Sequence, residues 1–187
     1  MAQRIVGGEQ YEAFLLGGDT EGSSVTVDSR AYRSIASFVR PGDTTAYSAG
    51  DVVGASGSAI HTMSNAGPSG GFVLVQSVSM FINNTTVPPG MGAFRLHFYS
   101  SSPSGIADNA VFTLNSGDIS AYMGFAELST PLDLGSVLYA QTDYVGRQLK
   151  LASGQTSLFT QLETRNAYTP ASGTAYEIHV ATLEVGL

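Results

Sequence analysis

The segment Phe94-Arg95-Leu96-His97-Phe98-Tyr99 alternates Phe or Leu with Arg, His and Tyr. A period of two places the apolar residues on one face of an extended strand and the polar residues on the other. Residues 119–126 and 176–180 repeat this alternation. No longer stretch shows the 3.6-residue period of an amphipathic helix. The sequence therefore predicts an all-β chain with very little helix.

Turn residues separate the predicted strands. All seven prolines fall between the candidate strands, where a missing N–H breaks no ladder. Residues 72–82 are apolar on both faces in their first half, which is typical of a strand at the centre of a sheet. Many short strands with turn signals between them predict a jelly-roll-like antiparallel β-sandwich. Further strands are predicted at residues 31–39, 51–63 with a break near Gly57, 109–114, 136–144, 147–152 and 157–164.

Residues 136–164 carry the pattern of a meander, in which successive strands pair with each other. The first turn is predicted near Val145-Gly146. The second is predicted at residues 152–155, where Ser and Gly follow Ala152.

Residues 1–30 differ from the rest and are predicted to form an extended N-terminal arm, followed by one sandwich domain over residues 31–187. Two Gly-Gly pairs bracket a short apolar patch in the arm. A flexible tail is one interpretation. A solvated tail has no need of large apolar side chains, so we expect instead that the arm docks on a sister subunit or another protein. The predicted partner-binding residues are Tyr11, Phe14, Leu15 and Leu16.

The chain of 187 residues has a net charge of −7, and charged residues make up only 12% of it. Typical soluble proteins contain about 25%. No basic stripe is present to neutralise phosphates, so we expect no nucleic-acid partner. A charge-poor surface indicates either a protein held against neighbouring subunits or a neutral sandwich of the secreted type.

The sequence contains no cysteine, which excludes disulfides and cysteine-based zinc sites. The first eight residues have no apolar signal-peptide core, so we expect synthesis in the cytoplasm. The longest apolar stretch, residues 72–82, contains polar residues and is too short to span a membrane. We therefore expect no membrane partner.

The segment Gly67-Pro68-Ser69-Gly70-Gly71 matches the G-x-S-x-G pattern of a hydrolase nucleophile elbow. That motif connects a strand to a helix. Here a β-type segment follows, so the match indicates a loop of small residues. The chain also contains no Walker loop and no G-x-G-x-x-G motif. We therefore expect no catalytic residue and no enzymatic activity. A hydrolase with a dispersed active site is the alternative.

Candidate metal ligands are scattered along the chain. His97 and His179 alternate with apolar neighbours, so each is expected on the less buried face of its strand. A zinc site needs three or four converging ligands, and no close pair is present. The acidic loop residues lack the spacing of a calcium loop, and most of them are expected to cap turns. We therefore predict no metal and no cofactor. The residues considered are His61, His97, His179, Asp43, Asp51, Asp108, Asp118, Asp133 and Asp143.

Three segments resemble structural proteins from the head-gene region of tailed bacteriophages. They are residues 38–54, which begin Phe-Val-Arg-Pro-Gly-Asp, residues 95–103, which end Tyr-Ser-Ser-Ser-Pro, and residues 119–124. The resemblance covers about residues 38–185 and leaves out the arm. These are scaffold motifs and not catalytic ones, so no functional residue is implied by them.

The resemblance implies a head decoration, or cement, protein of jelly-roll type. Such a subunit would lie on the capsid surface of the virion, bind the major capsid protein as a homotrimer and stabilise the head. The sequence does not separate a head protein from a tail protein. The alternative is therefore a receptor-binding or carbohydrate-binding β-sandwich of a phage tail, which the nine tyrosines would suit.

Overall fold

The computed structural model describes residues 5–6, 9–10 and 30–186. Strands β1 (Ile5–Val6) and β2 (Glu9–Gln10) pair with each other. Within the described residues the single helical turn is a 3₁₀ turn at Ser116–Asp118. The remaining strands are β3 (Ala31–Val39), β4 (Val52–Val53), β5 (His61–Met63), β6 (Phe72–Ile82), β7 (Phe94–Tyr99), β8 (Tyr122–Leu128), β9 (Leu132–Asp133), β10 (Leu138–Lys150), β11 (Leu158–Thr164) and β12 (Ala175–Val185).

These ten strands form two antiparallel sheets. Sheet I has the order β3-β12-β6-β10-β9. Sheet II has the order β4-β11-β7-β8, with β5 also paired to β11. Pairing is nested along the chain, since β3 pairs with β12, β4 and β5 with β11, β6 with β10, and β7 with β8. This nesting is that of a long hairpin rolled into two layers, which is the jelly roll. The predicted fold class is confirmed.

The core lies between the inner faces of the two sheets. The alternation at residues 94–99 is confirmed, since Phe94, Leu96 and Phe98 are fully buried. Strand β6 is central in sheet I, as predicted, and contributes its buried face to the same core. Burial of each such side chain contributes about 1.5–3 kcal/mol. The core residues of β6 are Val73, Val75, Val78, Met80 and Ile82.

The predicted meander is wrong. Residues 138–150 form one strand, β10, which pairs with β6 along its whole length. Tyr144 and Gly146 have φ values of 56° and 62° and mark a bulge in this strand instead of a turn. The chain then crosses to sheet II, so β10 and β11 belong to different layers. Residues 109–114 form no strand, and Val111 makes only an isolated bridge with Asp51.

A buried guanidinium holds the loops together at one end of the sandwich. The side chain of Arg40 is fully buried and donates from Nε to the Tyr47 hydroxyl at 3.1 Å. It also donates to the backbone oxygens of Asp43 and Ala171, at 2.5 and 3.2 Å. The carboxylate of Asp108, 3.6 Å from the guanidinium, accepts a hydrogen bond of 2.6 Å from Tyr47. Three loops are thereby fixed to one cation.

Candidate protein-binding face

The outer faces of the two sheets differ in what covers them. On sheet II, the loop between β7 and β8 lies over the strands, and the ring of Phe112 stacks on that of His97 with centroids 3.8 Å apart. Gln161 on β11 accepts from the Tyr99 hydroxyl at 3.0 Å and donates to the backbone oxygen of Ser104 in the loop at 3.1 Å. These contacts close the outer face of sheet II with the chain's own residues.

Beneath that loop lies a buried polar cluster. His97 is only 2% exposed, and its two ring nitrogens bond to the Tyr122 hydroxyl at 3.0 Å and to Glu163 Oε2 at 2.9 Å. Burial lowers the pKa of His97, an effect that Glu163 partly offsets. Burial raises the pKa of Glu163, but hydrogen bonds from His97 and Arg165 outweigh it and hold this pKa below its usual value. With both nitrogens occupied, His97 has no free atom to offer a substrate.

The three histidines are held by their own neighbours. His97 and His179 lie on the less buried face of their strands, as predicted, although both side chains are themselves buried. His97 is buried because the β7–β8 loop covers it. His179 is buried because Nδ1 accepts from Arg33 at 2.7 Å, Nε2 donates to Glu177 at 2.5 Å and Phe81 packs beside the ring. The described residues contain no group of three His, Asp or Glu side chains placed to hold a metal ion.

The other sequence motifs are loop features. Ser69 lies in a turn before strand β6, so the G-x-S-x-G match lacks the helix that a nucleophile elbow requires. Asp43 and Asp133 each accept from the backbone N–H two residues ahead, at 2.9 and 2.7 Å. The predicted turn-capping role is confirmed for these two residues.

Within the described ranges, no helix is long and apolar enough to cross a membrane.

The outer face of sheet I, in contrast, is left open by the residues that the structure describes. One row across the sheet runs through residues that lie opposite each other on neighbouring strands and so share a face. This row ends in Leu132, which is 64% exposed. The row consists of Ser37 on β3, Glu177 on β12, Phe81 on β6, Tyr139 on β10 and Leu132 on β9.

Other apolar side chains extend this open face. Ile35 and Val39 on edge strand β3 are 47% and 57% exposed. The rings of Phe81 and Tyr139 pack together with centroids 4.9 Å apart, and both remain half-buried. The outward face of a solvated antiparallel sheet is normally polar. An uncovered apolar sheet face is typical of a surface that another protein covers.

Among the described residues, the most exposed large hydrophobic side chain is Tyr144, at 97%. Asp143 pairs with Ser77 and Arg147 with Val75, so three residues of β10 lie opposite the single Gln76 of β6. The resulting bulge projects Tyr144 outward. Its φ of 56° costs roughly 1–2 kcal/mol for a residue with a Cβ atom. Strain at an extruded aromatic side chain is the kind of feature that collects at functional sites.

Sequence reasoning missed this face. The predicted partner-binding residues Tyr11, Phe14, Leu15 and Leu16 lie outside the described residues, so their role stays a prediction. A signal was present in β6, whose first half is apolar on both faces. We attributed that pattern to a central strand, which β6 is, and did not infer from it a face that the described residues leave open.

No model of a known protein family matches the chain, and no curated protein matches its sequence at a significant level. Among solved structures, it is similar to a chain of Desmodium yellow mottle tymovirus, with 10% identity over 90% of this chain and 94% of that chain and a TM-score of 0.28. It is also similar to a chain of the full particle of Israeli acute paralysis virus heated to 63 degrees, with 14% identity over 94% and 86% and a TM-score of 0.31.

A marine algae virus of the order Picornavirales gives a third likeness, with 14% identity over 91% of this chain and 74% of that chain and a TM-score of 0.23. TM-scores this low carry no argument about function. The jelly-roll assignment therefore rests on the strand order given above.

Proposed function

We propose that this chain is a structural protein of a bacteriophage particle, a decoration subunit that lies on the head and acts by binding other protein subunits. The observation that supports this best is the apolar outer face of sheet I, which the described residues leave open, whereas the β7–β8 loop covers the outer face of sheet II. A surface of this kind favours a binding role over a catalytic one. The resemblance of residues 38–54, 95–103 and 119–124 to phage head-region proteins indicates the setting.

In this proposal the chain stabilises the head by adding contact area. Packaged DNA presses outward on the seams between capsid subunits. A decoration subunit that bridges a seam raises the free energy needed to open it, and several copies around one axis gain further by avidity. The proposed partners are the major capsid protein and sister copies in a homotrimer.

The N-terminal arm is proposed to supply a second attachment. Tyr11, Phe14, Leu15 and Leu16 form an apolar group that is separated from β3 by about 14 residues. Fourteen extended residues span up to about 50 Å, which is enough to reach a neighbouring subunit. Burying such side chains contributes about 1.5–3 kcal/mol each.

The proposal is tested by mixing the purified protein with undecorated, expanded capsids at low and high salt and then heating the particles. We expect saturable binding to heads, a raised rupture temperature and little loss of binding at high salt, because apolar contacts are not screened. Binding to tails or host cells with bare heads unaffected would refute the decoration role.

A second function, binding of a carbohydrate receptor by a phage tail, has one observation in its favour. Phe81, whose ring packs against those of Tyr139 and His179, lines an open depression together with Glu177 and Asn83. Rings flanked by polar groups can stack on sugars. Val39, Val137 and Ala175 line much of the same depression, however, and this apolar lining suits a protein surface better. Saturable binding to host glycans with none to heads would favour the receptor role.

A further inference from the structure

Tyr144 is held in a costly conformation and gains little from its own chain. It combines a φ of 56° with 97% exposure. Asparagine or glycine would fit this backbone with less strain. A contact outside the monomer would account for an aromatic residue here. Tyrosine is among the residues most often found as interface anchors.

Charge distinguishes the surroundings of Tyr144 from the rest of the chain. Along the strands of sheet I, the outward-facing charged residues are two basic and two acidic, Arg33 and Lys150 with Glu177 and Asp143. The whole chain has 15 acidic and 8 basic residues. Residues 1–29 contain five acidic residues and one basic residue, and the sandwich outside this face contains eight acidic and five basic residues. Because the face is balanced while the rest of the sandwich is net negative, two copies repel each other less through this face.

The size of the face also suits a specific contact. Eleven-residue strands such as β6 and β12 are about 36 Å long, and the sheet is about 20 Å wide. The area is about 700 Å², close to the roughly 800 Å² that each partner contributes to a standard interface.

We propose that the outer face of sheet I is the surface through which copies of this chain bind one another, with Tyr144 as its aromatic anchor. The inference deepens the proposed function, on which it rests, by assigning the self-contact of the subunit to one face and one residue. Tyr144 inserts into the neighbouring copy. Phe81, Tyr139 and Leu132 extend the buried apolar area around it.

The test compares the purified full chain with the variant Tyr144→Asn, without capsids, by sedimentation at concentrations up to about 1 mM, the weak end of specific affinities. We expect the natural chain to self-associate. The association constant of the variant should be lower by about tenfold or more, as for an interface anchor. The variant should melt at the same temperature or higher when both are monomeric, because the strain at residue 144 is relieved.

Two further variants separate the face from general effects. Val111→Asn is the matched control, because Val111 is 65% exposed but lies in the β7–β8 loop and not on sheet I. It should associate as the natural chain does. Val39→Glu adds a charge to the face and should also weaken association. Unchanged association of Tyr144→Asn, or a natural chain that is monomeric throughout, would overturn the inference.

The outcome is distinguishable from failure of the decoration role. Capsid binding is measured with heads present, whereas self-association is measured with the chain alone. Self-association through Tyr144 without head binding would keep the inference and refute the decoration role. Head binding together with unaltered self-association of Tyr144→Asn would keep the decoration role and overturn the inference.

Discussion

His61 is buried, with only 5% of its surface exposed. Its ring stacks on Phe38 with centroids 4.2 Å apart, and Nε2 donates to the backbone oxygen of Val53 at 3.3 Å. Burial lowers the pKa of His61 from 6.5 to about 4, and the bond to Val53 opposes this only in part. The unfolded chain therefore binds a proton at this residue at a pH where the folded chain does not.

The stability of the fold should fall as the pH drops from about 6.5 to about 4. A group with a lowered folded pKa keeps its full contribution above the unfolded value and loses about 1.4 kcal/mol per pH unit below it. The loss from His61 should reach about 3 kcal/mol near pH 4. In His61→Phe this component should disappear, as urea unfolding at a series of pH values will show. The stability difference between the two proteins should stay constant above pH 7.5. Parallel curves between pH 6.5 and 4 would contradict the assignment.

Replacing Arg40 with Met should destabilise the fold by about 3–5 kcal/mol, because Asp108 then keeps a buried charge without its cation. Arg40→Lys should restore little, since an ammonium cannot reproduce donation from Nε and both terminal nitrogens. Urea unfolding at pH 7 measures both effects.

Asp43→Asn is the control for these variants. It alters the same guanidinium on its exposed side, where the Asp43 side chain is 48% exposed, and should change stability little. A cost as small for Arg40→Met as for Asp43→Asn would show that the buried cluster does not fix the loops.

At the scale of strands, sequence alternation predicted most elements because each strand has one buried face. It failed where two kinds of local structure have the same sequence pattern. A glycine with a positive φ, such as Gly146, is found both in turns and in bulges. Only the pairing of β10 with β6 on both sides of Gly146 shows that it belongs to a bulge. Residues 109–114 look like a strand, yet they cover the edge of sheet II as a loop that bonds to β4, through Val52 N–H to Ala110 O at 2.9 Å.

Deleting residues 1–28 should leave the jelly roll folded, because the described sandwich begins at Ala31 and pairs within itself. Attachment to heads should weaken severely, because the apolar side chains of the arm are lost. Circular dichroism checks the fold and capsid binding checks the attachment. The control is the full-length variant Phe14→Ser/Leu15→Ser, which keeps the arm and removes two of its apolar side chains. Attachment by the truncated chain as tight as by the full chain would make the arm a tail without a binding role.

At the scale of the molecule, the jelly roll was predictable because spacing and turn chemistry act locally. The binding face was not. Phe81, Tyr139 and Leu132 lie on three strands that are far apart in sequence, and only the register of sheet I brings them into one row. Tyr144 gave no periodic signal, since its exposure follows from a bulge. The arm residues were predicted from composition alone and still await a test.

The most direct test of the proposed function is electron cryomicroscopy of the intact particle, with the chain fitted to the density. We predict copies of the jelly roll clustered around three-fold positions on the outer surface of the head. Each copy should have the outer face of sheet I, including Tyr144, buried against a neighbour. Density for the chain confined to the tail, or a head without it, would contradict the decoration role.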